Sequence, residues 1–476
     1  MPVSPAYRPD PVYQGLGLEF ADPVKPAIFP ETTIRFRNDR AAATVGLDTL
    51  TDEEWRAAFA RFEALPGNQV EPLATRYHGH QFRVYNPDLG DGRGFLFAQM
   101  REAGTGRLLD LGTKGSGRTP YSRTADGRLT LKGGVREALA SEMLEALGVP
   151  TCRTFSLIET GEALERPDEP SPTRGCVLVR LSYSNIRFGT FQRHAFHDRP
   201  DLIQQLIDHV AEVYYPELAA AYDGKARTAP LLAQVVERSA SLCARWMAAG
   251  FVHGVLNSDN MNVTGESFDY GPYRFLPRSD PAFTAAYFDQ TGLYAFGRQP
   301  EAVLWNLNQL AGSLLPLTEK ELLIDALNGF GDAYRRALSG AIAARLGLKP
   351  RSLDENVGLA NAAFRALGEG GAGLRWEPFF FDWFGGVSSE DRAMGGPRAH
   401  FYSGAGLAEF RGRLGAYEPE RPDQIDHPYF AGAGPQELLY DEIEAIWAEI
   451  AERDDWAAFH AKIADIGVAR EAYGLA

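Results

Sequence analysis

The stretch FVHGVLNSDNMNVTGESFDYG, residues 251–271, constrains this chain more than any other. It begins with two apolar residues followed by His-Gly, continues in a tight polar turn that contains Asp259 and Asn260, and ends in Asp-Tyr-Gly, which begins at Asp269. The pattern predicts a loop, a short hairpin over residues 261–268 and a second loop. Such a hairpin would gather three oxygen-bearing side chains in one small volume, which suits Mg²⁺ together with phosphate oxygens. Two ordinary Asx-rich turns flanking a hairpin would explain the same residues, so both interpretations stay open at this point.

The order of these residues resembles the catalytic loop and the metal loop of protein-kinase-like phosphotransferases. In those enzymes an Asn and an Asp hold metal ions on the nucleotide, and Asn260 and Asp269 occupy the matching places. Two positions after His253, where a kinase keeps its catalytic base, this chain has Val255. Valine accepts no proton, and the loss of a general base costs roughly 10²–10⁴ in rate. The sequence therefore predicts an intact nucleotide site without the usual kinase chemistry.

Composition excludes several classes of protein. The chain has 476 residues, 45% of them hydrophobic and 23% charged, which is ordinary for a globular protein with a substantial core. Its net charge of −15 argues against nonspecific binding to nucleic acid or to an anionic membrane. The sequence contains neither the long apolar run of a membrane span nor the apolar core of a secretory leader, and its three cysteines lack metal-type spacing. We therefore expect a cytoplasmic protein with reduced cysteines, bound neither to membrane nor to nucleic acid.

Strand signals are concentrated in the first half of the chain. Residues 1–48, rich in proline and aromatic side chains, are expected to form an extended arm. Strands are predicted over residues 94–100, 107–114, 153–160 and 176–181. The first two are expected to pair as a hairpin across a Gly-Thr-Gly turn, which leaves Lys114 at the end of the second strand.

Helical periodicity and capping signals define the other elements. A capping box at Thr51 predicts a helix that runs to Pro66, and a later helix that ends at Gly148 would carry Glu137 in its first turn. Helices in the second half are predicted over residues 200–214, 230–249, 300–315 and 318–346, and a final acidic helical region over roughly residues 435–468. The fourth of these would begin with a capping box at Thr318.

The order of candidate site residues predicts the fold class. Lys114 at a strand end, Glu137 on the next helix, and Asn260 and Asp269 on later loops are the four anchors of a kinase-like nucleotide site. The predicted fold is α+β and bilobed, protein-kinase-like, with a strand-rich N-terminal lobe, a larger helical C-terminal lobe and an extended N-terminal arm. The predicted parts are an arm with one helix (residues 1–60), an N-lobe (61–190) and a C-lobe with a helical extension (191–476). No assignment is made for residues 368–430, which are rich in glycine and aromatic side chains.

Two arginines are further candidates for contacts with phosphate. Arg180 and Arg187 lie seven residues apart, a spacing at which one face of a helix would present both side chains. Arginine forms bidentate contacts with phosphate oxygens, although solvated or salt-bridged arginines are commoner at this spacing. Earlier in the chain, the His78-Gly-His80 sequence predicts turn or core histidines rather than a metal site, because no further ligand nearby has suitable spacing.

Several segments between about residues 60 and 320 form a recognisable series: PLATRYHGHQF, NPDLGDGRG, KGSGRTPYSR, ADGR, VREALASEMLEALGVPT, SNIRFG, HGVLNSDNMNVTGESFDYGPYRFL and LYAFGRQPEAVLWNLNQLAGSLLP. In this order they resemble the selenoprotein O family, also called the YdiU family. The resemblance implies a protein-kinase-like fold and a pseudokinase that binds ATP in a flipped orientation. It also implies transfer of AMP, in place of phosphate, to Ser, Thr or Tyr hydroxyls of other proteins.

The resemblance further implies roles for individual residues. Those that contact ATP would be Gly90, Gly92, Arg93, Lys114, Asp126, Gly127, Arg180, Arg187 and Asp269. Glu137 would pair with Lys114 and hold it in place. Asn260 and Asp269 would bind Mg²⁺ or Mn²⁺, and Asp259 would accept the proton of the incoming hydroxyl. Pyrophosphate leaves with dense negative charge, which gives a reason for two arginines beyond the lysine.

The chain departs from the family pattern in three places: before Lys114, in the segment FTAAYFDQTGLYAF, which lacks an expected His-Ser-Asp, and after about residue 330. The last of these bears on regulation. Many relatives carry a selenocysteine or cysteine near the C-terminus, whereas this chain ends in GVAREAYGLA. A redox switch built on a terminal thiol is therefore not expected, while all matching nucleotide-site residues are present.

Three classes of function remain open. The resemblance favours a protein adenylyltransferase, whose partners would be ATP and proteins with exposed hydroxyls; use of UTP would be a variant of this class. A conventional phosphotransferase is the second class, and Val255 together with the paired arginines argues against it. A catalytically inactive nucleotide-binding scaffold is the third, and the presence of Asp259, Asn260 and Asp269 argues against it.

Overall fold

The computed structural model describes residues 4–167, 169–402 and 404–475. The main strands precede most of the helices, which confirms the predicted mixture of the two. The strands are β1 (Ala21–Pro23), β2 (Thr33–Arg37), β3 (Leu73–Thr75), β4 (Gly79–Gln81), β5 (Val84–Asn86), β6 (Leu96–Arg101), β7 (Leu108–Lys114), β8 (Leu129–Thr130), β9 (Arg153–Leu164), β10 (Thr173–Ser182), β11 (Phe251–Val252) and β12 (Arg274–Phe275). The helices are α1 (Asp39–Thr44), α2 (Asp52–Phe59), α3 (Leu131–Ala146), α4 (Phe188–Phe196), α5 (Pro200–Tyr214), α6 (Pro216–Ala221), α7 (Thr228–Ala248), α8 (Gln299–Leu314), α9 (Lys320–Asn328), α10 (Phe330–Arg345), α11 (Leu353–Glu369), α12 (Trp376–Asp382), α13 (Glu390–Gly395), α14 (Ala405–Leu414), α15 (Tyr440–Arg453) and α16 (Ala457–Tyr473).

The main sheet has eight strands. Its order is β1–β3–β6–β7–β10–β9–β2, with β8 paired to β10, and each of these pairs is antiparallel. The predicted hairpin of β6 and β7 is confirmed. Strands β1 and β2, from the segment expected to form an arm, lie at the two edges of the sheet. Residues 1–3 of that predicted arm lie outside the described residues, and the division of the chain into three parts stays a prediction.

Alternation along the central strands separates the two faces of the sheet. Leu109 and Val177 pack in the same hydrophobic core as Trp55 of α2. Leu108 and Leu178 belong to a different core, which contains the buried side chains of α3. Every second residue from Leu108 along β7, and from Leu178 along β10, is therefore on the face covered by α3.

Helix boundaries in the first half differ from the prediction at two places. α2 begins at the predicted capping box but ends at Phe59 instead of Pro66, and the backbone turns at Phe62, whose φ of 55° is left-handed. α3 begins at Leu131, so Glu137 lies in its second turn and not in its first. Both differences are local, and the predicted elements themselves are present.

The helix predicted over residues 318–346 is two helices, α9 and α10, separated at Gly329. Glycine lowers helix stability by about 1 kcal/mol relative to alanine, which favours a break at this position. The predicted capping box at Thr318 is wrong, because the residue before α9 is Glu319 and its side chain makes no capping hydrogen bond. α5 has the predicted boundaries, Pro200–Tyr214.

Residues 368–430 contribute, together with α10 and α11, to a third hydrophobic core in the helical half of the protein. Its largest buried side chains lie on and beside α12 and α14, namely Trp376, Phe379, Phe380, Trp383 and Phe410. The aromatic residues of this segment thus pack against one another inside the protein. Within the described ranges, none of the helices combines the length and apolar character that a membrane crossing requires.

Gly94 lies two residues before β6, where the backbone of β7 passes very close. A Cβ atom at this position would lie 2.0 Å from the carbonyl oxygen of Thr113. We expect Gly94→Ala to lower the free energy of unfolding by about 3 kcal/mol, because the clashing atom belongs to the backbone and β7 would have to shift. Chemical denaturation measures this change. Gly104→Ala is the control, since a Cβ there meets nothing within 4 Å, and an equal loss in both variants would contradict the expectation.

Candidate active site

Strand alternation places a lysine and an arginine on the same side of the sheet. Lys114 ends β7 directly opposite Leu178 of β10, and Arg180 follows two residues later. Both side chains are on the face covered by α3, where Glu137 accepts a hydrogen bond from Lys114 Nζ. All three residues are buried. The predicted pairing of Lys114 with Glu137 is therefore present.

Asp269 is the acidic centre of this cluster. Its Oδ1 lies 2.7 Å from Lys114 Nζ and 3.1 Å from Arg180 Nη1, and its Oδ2 lies 3.8 Å from Arg187 Nη1. Burial favours the neutral carboxyl, yet the three surrounding cations hold the pKa of Asp269 well below its usual range. The backbone φ of Asp269 is 67°, a left-handed conformation that is uncommon outside glycine and that clusters at functional sites.

Arg187 is the residue immediately before α4, and it does not share a helix with Arg180. The expectation that one helical face presents both arginines is therefore wrong, because Arg180 belongs to strand β10. Arg187 Nη1 donates to the carbonyl oxygen of Asp259 at 2.8 Å. Its guanidinium also packs over the rings of Tyr77 and Phe268, at 4.6 and 4.8 Å from their centroids. These contacts fix a buried arginine between the sheet and the loop at Asp259.

A cavity of about 330 Å³ opens beside these cations. The predicted residues that line it are Gly90, Gly92, Arg93, Lys114, Arg180, Arg187 and Asp269. Glu137 is buried against Lys114 and is not among the lining residues. Asp126 and Gly127 follow Ala125, which lines the cavity, but are not among the lining residues themselves. The Asp126 carboxylate instead pairs with Arg166, with 2.8 Å between Oδ2 and Nη1.

The cavity also contains residues that the sequence analysis did not assign to the site. Asp91 lies between two predicted glycines, its Oδ2 accepts hydrogen bonds from Thr75, and its Oδ1 lies 3.7 Å from Arg187 Nη2. Tyr77 and Tyr121 contribute aromatic walls. The sequence did contain a signal for Asp91. It lies between Gly90 and Gly92, two predicted site residues, and therefore belongs to the same loop.

Polar contacts with the β4–β5 hairpin fasten the loop that carries Asp259. His80 N donates to Ser258 Oγ at 2.7 Å, and Phe82 N donates to Asn257 Oδ1 at 3.1 Å. The short hairpin predicted over residues 261–268 is wrong. Instead, Asn262 forms an isolated bridge with Arg187, and Ser267 forms one with Thr151. Asp259 and Asp269 are therefore positioned by tertiary contacts and not by a local hairpin.

The Asp259 carboxyl group is almost completely enclosed, with only 8% of the residue exposed. Its Oδ1 has no hydrogen-bond partner among the described residues. Burial raises the pKa of Asp259 to about 6, with a further contribution from the nearby charge of Asp269, while Arg187 acts in the opposite direction. An unpartnered carboxylate oxygen with a raised pKa is suited to accept a proton near neutral pH.

His253 has a structural role. Its ring Nε2 lies 2.9 Å from the carbonyl oxygen of Phe268, and its backbone N donates to Gln299 Oε1 at 3.0 Å. Burial lowers the pKa of His253 and keeps the imidazole neutral, so Nε2 is the donor in the first contact. The ring thereby holds the residue immediately before Asp269.

Asp269, which lines the cavity, and Asn260, which follows Asp259 in the chain, carry oxygen donors of the kind that a hard divalent cation prefers. Asp269 offers a carboxylate, and Asn260 donates Nδ2 to the carbonyl oxygen of Val255 at 2.9 Å, which leaves its Oδ1 to serve as a ligand. In the part of the chain that the structure describes, no group of three or more His, Cys, Asp or Glu side chains is placed to hold a metal ion. A cation here would therefore depend on Asn260, Asp269 and phosphate oxygens.

Comparison with known proteins identifies the family. The family model described as "Protein adenylyltransferase SelO" matches residues 6–466. A protein nucleotidyltransferase YdiU of Synechococcus elongatus is 52% identical over 346 residues, which are 72% of this chain and 69% of the relative. The YdiU protein of Trichodesmium erythraeum is 42% identical over 481 residues, 95% of this chain and 96% of the relative. The similarity thus extends well beyond the region of about residues 60–320, and the chain belongs to the SelO family of nucleotidyltransferases, also called the YdiU family.

Proposed function

We propose that this enzyme transfers AMP from ATP to Ser, Thr or Tyr hydroxyls of other proteins. The observation that carries the proposal is the convergence of Lys114, Arg180 and Arg187 on Asp269, in a chain that has Val255 in place of the usual kinase base. Three cations in one buried site suit a polyphosphate chain better than a single lysine does. The printed names of the family and its relatives, an adenylyltransferase and protein nucleotidyltransferases, support the same conclusion.

The nucleotide is proposed to lie reversed relative to its position in a kinase. Its β- and γ-phosphates would contact Lys114, Arg180 and Arg187, and its α-phosphate would lie towards Asp259. Further contacts would come from the remaining members of the proposed set, Gly90, Gly92, Arg93, Asp126 and Gly127. The observation in favour is that the three cations line the cavity as one cluster around Asp269, which suits the part of ATP with the highest charge density.

The proposed reaction is a substitution at the α-phosphorus. The acceptor hydroxyl oxygen forms a bond to this phosphorus, the bond to the bridging oxygen breaks, and pyrophosphate leaves. Asp259 accepts the hydroxyl proton. Its raised pKa supports this role, because a base is most effective when its pKa lies near the working pH. Arg187 assists by holding the backbone of the same residue.

Asn260 and Asp269 are proposed to hold Mg²⁺ or Mn²⁺. The ion would supply charge stabilisation for the phosphates. When phosphate oxygens bind to Lys114, Arg180 and Arg187, they balance the positive charges that the Asp269 carboxylate balances otherwise. The carboxylate then becomes available as a ligand, which explains how one residue can both balance the three cations and hold the metal ion.

A bilobed, protein-kinase-like arrangement is proposed to present this site. The sheet supplies Lys114 and Arg180, the largely helical second half supplies Asp259 and Asp269, and the cavity lies where the two meet. Within this proposal the partners are ATP and protein acceptors. The cytoplasmic location and the lack of binding to membrane and nucleic acid stay predictions.

Intact-mass spectrometry of an acceptor protein tests the proposed function. The purified enzyme is incubated with ATP, Mg²⁺ or Mn²⁺ and an unstructured acceptor rich in Ser, Thr and Tyr. We expect a covalent increase equal to one adenylyl group or multiples of it. A phosphoryl increase would favour the conventional phosphotransferase, and an unchanged mass with retained ATP binding would favour the inactive scaffold.

Placing a carboxylate at Val255 tests the reversed orientation. If the γ-phosphate faced the acceptor, Val255→Asp would restore a kinase base and raise γ-phosphate transfer by roughly 10²-fold or more. We expect no such gain, because the proposed pose keeps the γ-phosphate on Lys114, Arg180 and Arg187. Transfer of label from γ-labelled ATP measures the outcome. Val255→Asn, similar in shape but uncharged, is the control, and a large gain confined to Val255→Asp would contradict the reversed pose.

A further inference from the structure

A second cavity, of about 350 Å³, adjoins the candidate nucleotide site. Tyr121 and Arg123 line both cavities and form the wall between them. The other side of the second cavity is formed by α4 and the residue after it, through Arg193, Phe196 and His197. A chain segment whose hydroxyl enters the first cavity would therefore have the second cavity within reach of its neighbouring side chains.

Among the described residues, the two arginines of this second cavity make no hydrogen bond or ion pair with a carboxylate, although the charge of Arg193 acts on Asp22. Arg193 Nε is buried without a hydrogen-bond partner, and across the described ranges neither Arg193 nor Arg123 forms an ion pair. Arg76, by contrast, binds Asp22 at 2.9 Å, and Tyr121 donates to the same carboxylate. The Asp22 carboxylate thus already accepts hydrogen bonds from two other side chains, and Arg193 retains donors for an external ligand.

The charge of the lining residues and the backbone conformation of Arg123 also distinguish this cavity. Its lining contains two arginines but a single carboxylate, that of Asp88, in a protein whose net charge is −15. Arg123 is exposed and has a φ of 52°, a left-handed conformation that costs energy unless the surroundings impose it. An acidic ligand repelled by most of the protein surface would be attracted here.

Aromatic rings give the cavity an apolar floor. Phe196 stacks on Tyr85 with 5.5 Å between ring centroids and remains 57% exposed. The His78 ring packs edge-on against Phe196, and burial, with the neighbouring Arg193 and His197, lowers the pKa of His78 to about 4. His78 is therefore neutral near pH 7. A floor of this kind suits the aliphatic stem of a glutamate or aspartate whose carboxylate reaches the arginines.

We propose that this second cavity binds a carboxylate side chain of the protein acceptor, close to the hydroxyl that receives AMP. The inference rests on the proposed function, since the carboxylate belongs to the protein that is modified. Arg193 and Arg123 would bind the carboxylate through charge-assisted hydrogen bonds. The enzyme would accordingly prefer hydroxyls flanked by Asp or Glu.

Peptide binding tests the proposal directly. The probes are two fluorescein-labelled peptides with one central Ser, flanked on both sides by Glu in one peptide and by Gln in the other. Fluorescence anisotropy with the full-length protein and a non-hydrolysable ATP analogue measures their affinities. We expect the Glu peptide to bind about tenfold more tightly, with a smaller difference at high salt. Equal affinities for the two peptides would overturn the proposal.

Variants assign the preference to the arginine. Arg193→Gln is expected to remove the tenfold preference, and Arg193→Lys, which keeps the charge but loses the planar fork, to retain only part of it. Arg335→Gln, which removes one exposed arginine from α10, controls for net charge and should keep the full preference. An unchanged preference in both Arg193 variants would overturn the assignment. If Arg193→Gln does not fold, the lysine variant alone decides.

Transfer from α-labelled ATP to the same two peptides separates this inference from the proposed function. Selective binding of the Glu peptide without any transfer of AMP would contradict the proposed function but support a carboxylate site. Transfer of AMP to both peptides with equal affinity and equal rate would support the proposed function and overturn the carboxylate site. Faster transfer to the Glu peptide supports both.

Discussion

Replacing Asp269 by alanine is expected to abolish AMP transfer, with a rate loss of at least about 10³-fold. The variant lacks the carboxylate proposed to hold the cation and the acid that balances Lys114 and Arg180. We also expect metal-dependent ATP binding to disappear. Label transfer from α-labelled ATP and calorimetric titration with ATP and Mg²⁺ measure the two effects.

Stability provides a second measure of the same variant. Without nucleotide, Asp269→Ala leaves buried cations without their main partner, which is expected to cost about 3 kcal/mol in the free energy of unfolding. Asp325→Ala, at an exposed position on α9, is the control and should change neither activity nor stability. Near-normal transfer by a folded Asp269→Ala protein would contradict the assignment of Asp269 to the cation.

Replacing Asp259 by asparagine is expected to lower the transfer rate by roughly 10²–10⁴ while ATP still binds. Asparagine preserves the shape of the side chain and leaves the backbone contact with Arg187 intact, but it cannot accept the proton. Initial rates and ATP affinity, measured on the same preparation, separate chemistry from binding. A loss of ATP affinity as large as the loss of rate would contradict the role of Asp259 as base.

The pH dependence of the rate tests the same role. Because the pKa of Asp259 is raised to about 6, the carboxyl is largely protonated below that pH and ionised above it. A base must be ionised to act, so the wild-type rate should rise with pH through about 6 and then level off. Asp259→Asn should lack this rise. A wild-type rate that falls between pH 5 and 7 would contradict the assignment.

Local signals in the sequence account for the elements that were predicted well. The capping box of α2, the hairpin of β6 and β7, and α5 with its proline start all depend on residues close together in the chain. The kinase-like order of Lys114, Glu137 and Asp269 likewise survives, since it reflects which element carries each residue. In the folded protein Lys114 donates hydrogen bonds to both acids, a meeting that this order anticipates.

Long-range contacts account for what the sequence did not predict. Arg180 and Asp269 are 89 residues apart, and Arg187 and Asp259 are 72 apart, so no local spacing reports their contacts. The spacing of the two arginines instead favoured a shared helix. The hairpin predicted over residues 261–268 failed for the same reason, because its polar and apolar residues pair with distant segments. Asp91 was missed because its partner, Arg187, comes from another element.

A transfer assay with two labels tests the central claim most directly. The purified enzyme is incubated with an acceptor protein and Mg²⁺ or Mn²⁺, once with ATP labelled at the α-phosphate and once with ATP labelled at the γ-phosphate. The proposed function predicts α-label bound covalently to protein, pyrophosphate released in equal amount, and no protein-bound γ-label. Protein-bound γ-label without α-label would contradict AMP transfer and would identify a kinase.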